Sequence, residues 1–166
     1  MSILAYFNPN YSDGLTAIAG LGDELETSNG ARWKYLKASG AIARYALCHV
    51  TAANLAIEAT TTLVGTAARP TLLCIPQTMA AIADLEYFWA PIGPFGPFRE
   101  DGVTTYKVLA ANAATSVRLY TTGTAGVVDD AVTTGNVAGL ALTETVTTQE
   151  AADCVAVTRL VSFCEL

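Results

Sequence analysis

Between Ile82 and Leu142, short strand-like runs rich in Val, Leu, Tyr and Thr alternate with turns. The turns are built on Asn112, Gly123, Gly126, Asp129-Asp130 and Gly135. β-branched and aromatic residues fit a pleated, half-buried surface, whereas Gly, Asn and Asp accept the backbone angles that reverse a chain. That spacing leaves no room for long helices and predicts a small antiparallel β domain. The same stretch carries almost no residue that could do chemistry.

The rest of the chain extends the pattern. Residues 1–30 are broken by Asn8-Pro9-Asn10, Ser12-Asp13-Gly14, Gly20, Gly22 and Ser28-Asn29-Gly30. This density predicts an extended N-terminal arm with at most a helical turn around residues 15–21. A single β-rich domain is expected over residues 31–166. Residues 33–38 alternate, Ser39-Gly40 turns, and residues 41–51 and 53–64 form further apolar runs. Pro76 ends the strand-like run 71–75, because proline cannot donate to a ladder. Met79, Ile82 and Leu85 recur at helical spacing, which predicts a short helix over residues 77–85. The aromatic link 87–98, broken by Pro91, Pro94 and Pro97, is expected not to pair regularly. Residues 154–163 read as one long central strand with Val155, Val157, Val161 and Phe163 on its apolar face, interrupted by Arg159. A faint echo aligns Trp33-Lys34-Tyr35-Leu36-Lys37-Ala38-Ser39 with Tyr106-Lys107-Val108-Leu109-Ala110-Ala111-Asn112. Two similar β units, about 31–85 and 103–166, would produce it, and so would chance likeness between Ala/Thr-rich strands. The expected fold is therefore mainly β: a small antiparallel barrel- or sandwich-like domain, an extended N-terminal arm, and at most one or two short helices.

Composition narrows the partners. At 166 residues the chain can bury a real core. Hydrophobic residues make up 52% and charged residues 14%, against about 25% charged in an ordinary soluble domain. A surface so poor in charge is expected to be covered in part by a partner or by further copies. Net charge is −6, from nine basic and fifteen acidic residues, and Arg32, Lys34 and Lys37 are the densest basic group. Nucleic-acid binding by counterion release requires a basic face, so no nucleic-acid partner is expected. No run reaches the ~18 apolar residues of a membrane span, and the first residues lack the pattern of a secretory signal. Maturation in a cytoplasm is expected. Cys48, Cys74, Cys154 and Cys164 form no C-x-x-C and each lies in an apolar run, which predicts buried reduced thiols. A disulfide would need two of their strands to align, and the sequence does not say which.

The search for a catalytic, cofactor or metal site ends with none expected. His49 is the only histidine and lies in the apolar run Leu47-Cys48-His49-Val50. Adjacent strand residues point to opposite faces, so Cys48 and His49 cannot form a dyad, and no nucleophile elbow exists. The acidic groups Asp23-Glu24-Glu26, Glu100-Asp101 and Asp129-Asp130 lack the spacing of a cation loop and read as turn residues or solvated segments. Gly20-Leu21-Gly22 lacks the third glycine and the strand–helix setting of a phosphate loop.

The run L-Y-T-T-G-T-A-G-V-V-D-D, closing on G-L-A-L, resembles the head decoration (capsid cement) proteins of tailed bacteriophages. The resemblance covers mostly residues 31–142 and is best over 106–142; the Pro-rich link at 91–97 and the acidic arm depart from it. It implies a β-rich, non-enzymatic structural protein of the virion, assembled in the host cytoplasm. Such a protein binds the outer surface of an expanded head, bridges major capsid protein subunits, and is often a homotrimer. The aromatic residues expected to make the contacts are Tyr6, Phe7 and Tyr11 in the arm and Trp89, Phe95 and Phe98 in the link. The alternatives are a tail- or fibre-associated β domain and, further off, a β-fold ligand binder or enzyme with an acidic site.

Overall fold

Alternating burial along the chain marks out strands, and turn residues separate them. A computed structural model describes residues 7–65, 70–133 and 135–164. In chain order its elements are β1 (Glu24–Glu26), β2 (Arg32–Ala38), β3 (Cys48–Val50), β4 (Leu55–Glu58), the helix α1 (Thr61–Gly65), and β5 (Thr71–Cys74). They continue with β6 (Tyr87–Pro91), β7 (Tyr106–Ala110), β8 (Leu119–Thr121), β9 (Val128–Asp129), β10 (Gly135–Leu142) and β11 (Glu150–Cys164). The protein is mainly β, and α1 is the one helix among the described residues.

The C-terminal five strands close on themselves. β10 pairs antiparallel with β8 and β11, β8 with β9, and β9 runs parallel to β7. The ring is completed because the long β11 also pairs with β7, from Glu150↔Ala110 to Cys154↔Tyr106. A closed barrel has no free edge inside the ring, so its backbone polar groups are met without further partners. Gly139, at φ +90°, sits at the irregularity where β10 shifts register against β11. A side chain there would strike the Thr158 hydroxyl, so the bend requires glycine.

The first five paired strands of the domain use the same wiring. β2 runs parallel to β4 and antiparallel to β6, while β3 pairs antiparallel with β4 and β5. Ala38 lies opposite Ala56 as Ala110 lies opposite Val128. The following amides repeat the relation, since Ser39 donates to Ala56 and Ala111 to Val128. Isolated antiparallel bridges join Ile42 to Ile82 and Ala113 to Val146 at matching places. Left-handed residues also match: Tyr45 with Ser116, and Asn54 with Gly126. These pairings set the alignment of β2 with β7 at Ala38–Ala110, one residue from the Ala38–Ala111 alignment suggested by the sequence echo. They also assign β6 to the first set.

The two sets interlock through β11. Beyond its barrel pairing, β11 pairs with β5 at Val161↔Leu72 and Ser162↔Thr71. Leu160 donates to Ile92 O at 2.8 Å, and Phe95 bridges Ala156. After β6 the chain carries Pro94 and Pro97, which cannot extend a ladder, so β5 takes its neighbour from β11.

Several expectations are corrected. Residues 7–30 run along the domain, where β1 pairs with β2 and Gly14 bridges Tyr87. The run 53–64 splits into β4 and α1, whose first turn is capped by the Thr60 hydroxyl accepting from Leu63 N at 3.1 Å. Residues 77–85 form no helix, because Gln77 is pinned in extended chain. Its side-chain amide donates to Lys107 O and accepts from Lys107 N, at 2.8 and 3.0 Å. The aromatic link does pair, with β6 matching β2 over five residues from Trp33↔Pro91 to Lys37↔Tyr87. Finally, β11 turns the other way: Ala152, Cys154 and Ala156 are buried, while Val157 is 73% exposed and Phe163 also faces out. The inward-facing positions of β11 are Ala152, Cys154, Ala156 and Leu160, which pack with Leu119, Leu140 and Leu142 from neighbouring strands.

Two packed clusters hold the fold. One joins Trp33, Tyr35, Trp89, Phe95 and Tyr106 to the barrel residues Val108, Leu119, Val137 and Leu140. The other fills the opposite face of the first strand set with Leu36, Ile42, Cys48, Cys74, Ile82, Phe88 and Ile92.

Candidate protein-interaction surface

The aromatic residues expected to make contacts divide into a buried and an exposed group. Tyr6 lies outside the described residues. Trp89 and Phe95 are corrected to core positions of their own chain. Trp89 is fully buried, with its ring 5.0 Å from Tyr35 and 5.7 Å from Phe7. Phe95 stacks on Tyr106 at 4.2 Å. Phe7 is half-buried and packs edge-on against Trp33 at 5.1 Å. β6 pairs with β2, and its alternate side chains enter the two clusters, Trp89 one and Phe88 and Ala90 the other.

Tyr11 and Phe98 remain on the surface, 53% and 48% exposed. The structure adds Met79 and Val103, both exposed, to this region. The Tyr11 hydroxyl donates to Met79 Sδ at 3.2 Å, and Met79 N donates to Asn10 O at 2.8 Å. Beside them lies a pocket of about 230 Å³ lined by Pro9, Asn10, Met79, Arg99, Glu100 and Thr104, among others. Arg99 is nearly buried in its wall and donates to Asn10 Oδ1 at 2.6 Å and to Gln77 O at 3.4 Å. Asp101 shapes the adjoining loop by accepting from Val103 N and Thr104 N at 2.9 and 2.7 Å and from the Thr104 hydroxyl. The Thr104 hydroxyl, with these amides, holds its carboxyl down at about 2. These bonds close the loop on Asp101, with Val103 at its exposed tip.

A second apolar group covers the outer side of β11. Val157 and Phe163 are exposed, the half-buried Val155 and Val161 lie on the same face, and Arg159 stands between Val157 and Val161. Ala141 and Ala138 lie opposite Val155 and Val161 on β10, and Leu72 lies opposite Val161 on β5. Sequence reading missed this group because it assigned the larger residues inward. The signal was the alternation of Ala152, Cys154 and Ala156 with Val155 and Val157. Met79 was missed because it was placed in a helix.

Several acidic residues are engaged in holding the fold. Glu24 contacts Arg32, Lys34 and Arg159 at 2.8, 3.0 and 3.2 Å. Burial opposes its ionisation, but the Lys34 hydrogen bond and the three cations outweigh that and hold the carboxyl below its usual range. Glu100 Oε1 accepts from Trp33 Nε1 and Tyr106 OH. Asp129 and Asp130 accept from the amides of Ala131 and Ala114. His49 lies between Ile57 and Leu73 in register, and burial lowers its pKa. Among the described residues, no group of three or more His, Cys, Asp or Glu side chains is placed to hold a metal ion. No helix among them is long and apolar enough to cross a membrane.

Comparison of the chain with protein-family models, with curated proteins and with solved structures finds no match.

Proposed function

We propose that this protein is a structural component of a bacteriophage virion that binds the outside of an expanded head and bridges neighbouring major capsid protein subunits. The observation that carries the reading is a pair of exposed apolar groups on one interlocked β scaffold. One lies around Tyr11, Met79, Phe98 and Val103; the other is the outer side of β11. A bridge needs two contact surfaces whose spacing is fixed, so that occupying the first raises the effective concentration of the second. The interlock through β11 supplies that rigidity.

Two further features support the reading. The segment resembling decoration proteins, residues 106–142, forms β7 to β10 of the closed barrel. The net charge of −6 suits a surface turned away from packaged DNA. In this account the chain acts by binding alone: it catalyses no reaction and uses no cofactor. Binding that favours the assembled shell over its dissociated subunits raises the shell's resistance to disruption by mass action. A homotrimer at a three-fold position would multiply the contacts.

Co-sedimentation of the purified protein with expanded heads lacking it tests the proposal. Saturable binding at a ratio set by the lattice symmetry is expected. Absence of binding, with the protein found instead in tails, would replace it with the tail- or fibre-associated reading.

A further inference from the structure

We propose that Cys48 and Cys74 form a redox-sensitive cross-strand disulfide that staples β3 to β5. The inference does not depend on the virion role. The two cysteines are direct partners in the antiparallel register, Cys48↔Cys74, followed by His49↔Leu73. Directly opposite residues of an antiparallel pair have Cα atoms about 4.5–5.5 Å apart. That range falls within the roughly 4.4–6.8 Å that a disulfide spans. Both side chains enter the same core cluster and both are fully buried, with the Cys48 thiol donating to Ala46 O at 3.5 Å. Cys154 is in the other cluster, inside the barrel. Register and side-chain direction therefore both select one pair.

The chemistry requires an outside oxidant, and a low-molecular-weight disulfide such as oxidised glutathione supplies it. One cysteine, as thiolate, attacks the glutathione disulfide and releases one glutathione thiolate, forming a mixed disulfide. The other cysteine loses its proton, attacks the protein sulfur of that mixed bond, and expels the second glutathione. Two protein thiols are oxidised, one glutathione disulfide is reduced to two thiols, and the S–S bond closes the segment 48–74. Burial pushes the Cys48 thiol well above its ordinary pKa, so thiolate is scarce and attack waits for β5 to open locally. The pair stays reduced in a reducing cytoplasm and closes slowly once the protein leaves it.

The test equilibrates the full chain in glutathione buffers of increasing oxidised fraction, with urea just below the unfolding transition to permit opening. Samples are acid-quenched, alkylated, weighed intact and peptide-mapped. The expected product is about 2 Da lighter before alkylation. It has two alkylatable thiols in place of the four in the sequence, with the Cys48 peptide joined to the Cys74 peptide. Its Tm should rise on the order of 5–10 °C, reversibly with reductant. Cys154→Ser should retain the product, and Cys48→Ser and Cys74→Ser should lose it. Four alkylatable thiols at equilibrium, glutathione adducts alone, or a bond to Cys154 or Cys164 would each overturn the proposal. Mapping of the unsubstituted chain gives this answer even if the serine variants fail to fold.

Discussion

Trp33 and Tyr106 both donate to one oxygen of Glu100, at 3.1 and 3.3 Å, with their ring centroids 6.2 Å apart. Trp33 belongs to β2 and Tyr106 to β7, the first strands of the two like-wired sets. A single carboxylate in the connecting segment thus ties both sets together at their starts. Burial raises the Tyr106 hydroxyl's pKa and keeps it protonated, so it remains a donor.

Glu100→Ala removes the shared acceptor and leaves two donors of buried rings unmet. Hydrogen bonds to a charged group contribute about 1.5–3 kcal/mol, so a loss of roughly that size is expected in urea unfolding. Glu100→Gln keeps an acceptor oxygen and should lose less. Equal losses for the two variants would show that the carboxylate's charge, and not the mere presence of an acceptor oxygen, matters.

Trp89→Ala and Phe98→Ala separate core from surface. Emptying the fully buried Trp89 site should cost about 3–5 kcal/mol. Phe98→Ala and Tyr11→Ala should stay within about 0.5 kcal/mol in the isolated protein and should instead weaken shell binding. Denaturation and co-sedimentation on the same three variants check the division.

How much of this was legible in the sequence follows from what each pattern reports. Turn residues and β-branched runs disclosed the fold class, because they act locally. They could not disclose that β11 serves both strand sets, which depends on pairings between residues far apart in the chain. The aromatic run 87–89 looked like a loop because Pro91 and Pro94 follow it. The prolines act only at the end of β6, after its donors are already paired with β2. Facing failed on β11 for a related reason. Hydrophobicity marks Val157 and Phe163 as interior, but the pairing register turns the alternate set, Ala152, Cys154, Ala156 and Leu160, inward. Of the candidate contact residues, Tyr11 and Phe98 are exposed, Tyr11 in a bend and Phe98 bridged to Thr105. Met79 and Val157 became visible only once the chain direction around them was known.

Acid should weaken the fold through Glu24 and Asp153. Burial opposes ionisation of Asp153, but the hydrogen bonds from Lys107 and Thr105 outweigh it, so its folded pKa is lowered, as is that of Glu24. A depressed folded value contributes stability above the unfolded value and loses it as pH falls through the folded one, here between about pH 5 and pH 2. Asp13 and Asp129 are raised, chiefly by burial, and act in the opposite sense. Glu24→Gln should therefore cost up to about 1 kcal/mol at pH 7 and nothing near pH 2, measured by urea unfolding at both. A penalty that persists at low pH would exclude the ionic origin.

Gly93→Ala tests the junction of the two sets. Gly93 has φ +70°, and an added Cβ would lie 2.2 Å from the Thr158 carbonyl oxygen on β11. Backbone cannot yield there as a flexible side chain would, so a loss of about 1–3 kcal/mol or more is expected. Gly30→Ala has an unfavourable φ but open space around it, and should cost less. Thermal unfolding of the two variants gives the comparison.

Bridging, as distinct from simple attachment, is read most directly from the heat resistance of expanded heads titrated with this protein. The account predicts that the disruption temperature rises with occupancy and reaches a plateau at a protein-to-capsid-subunit ratio commensurate with the lattice. It also predicts that Tyr11→Asp, Phe98→Asp or Val157→Asp lowers that plateau while the variant itself stays folded. Heads that bind the protein to saturation yet disrupt at an unchanged temperature would contradict it.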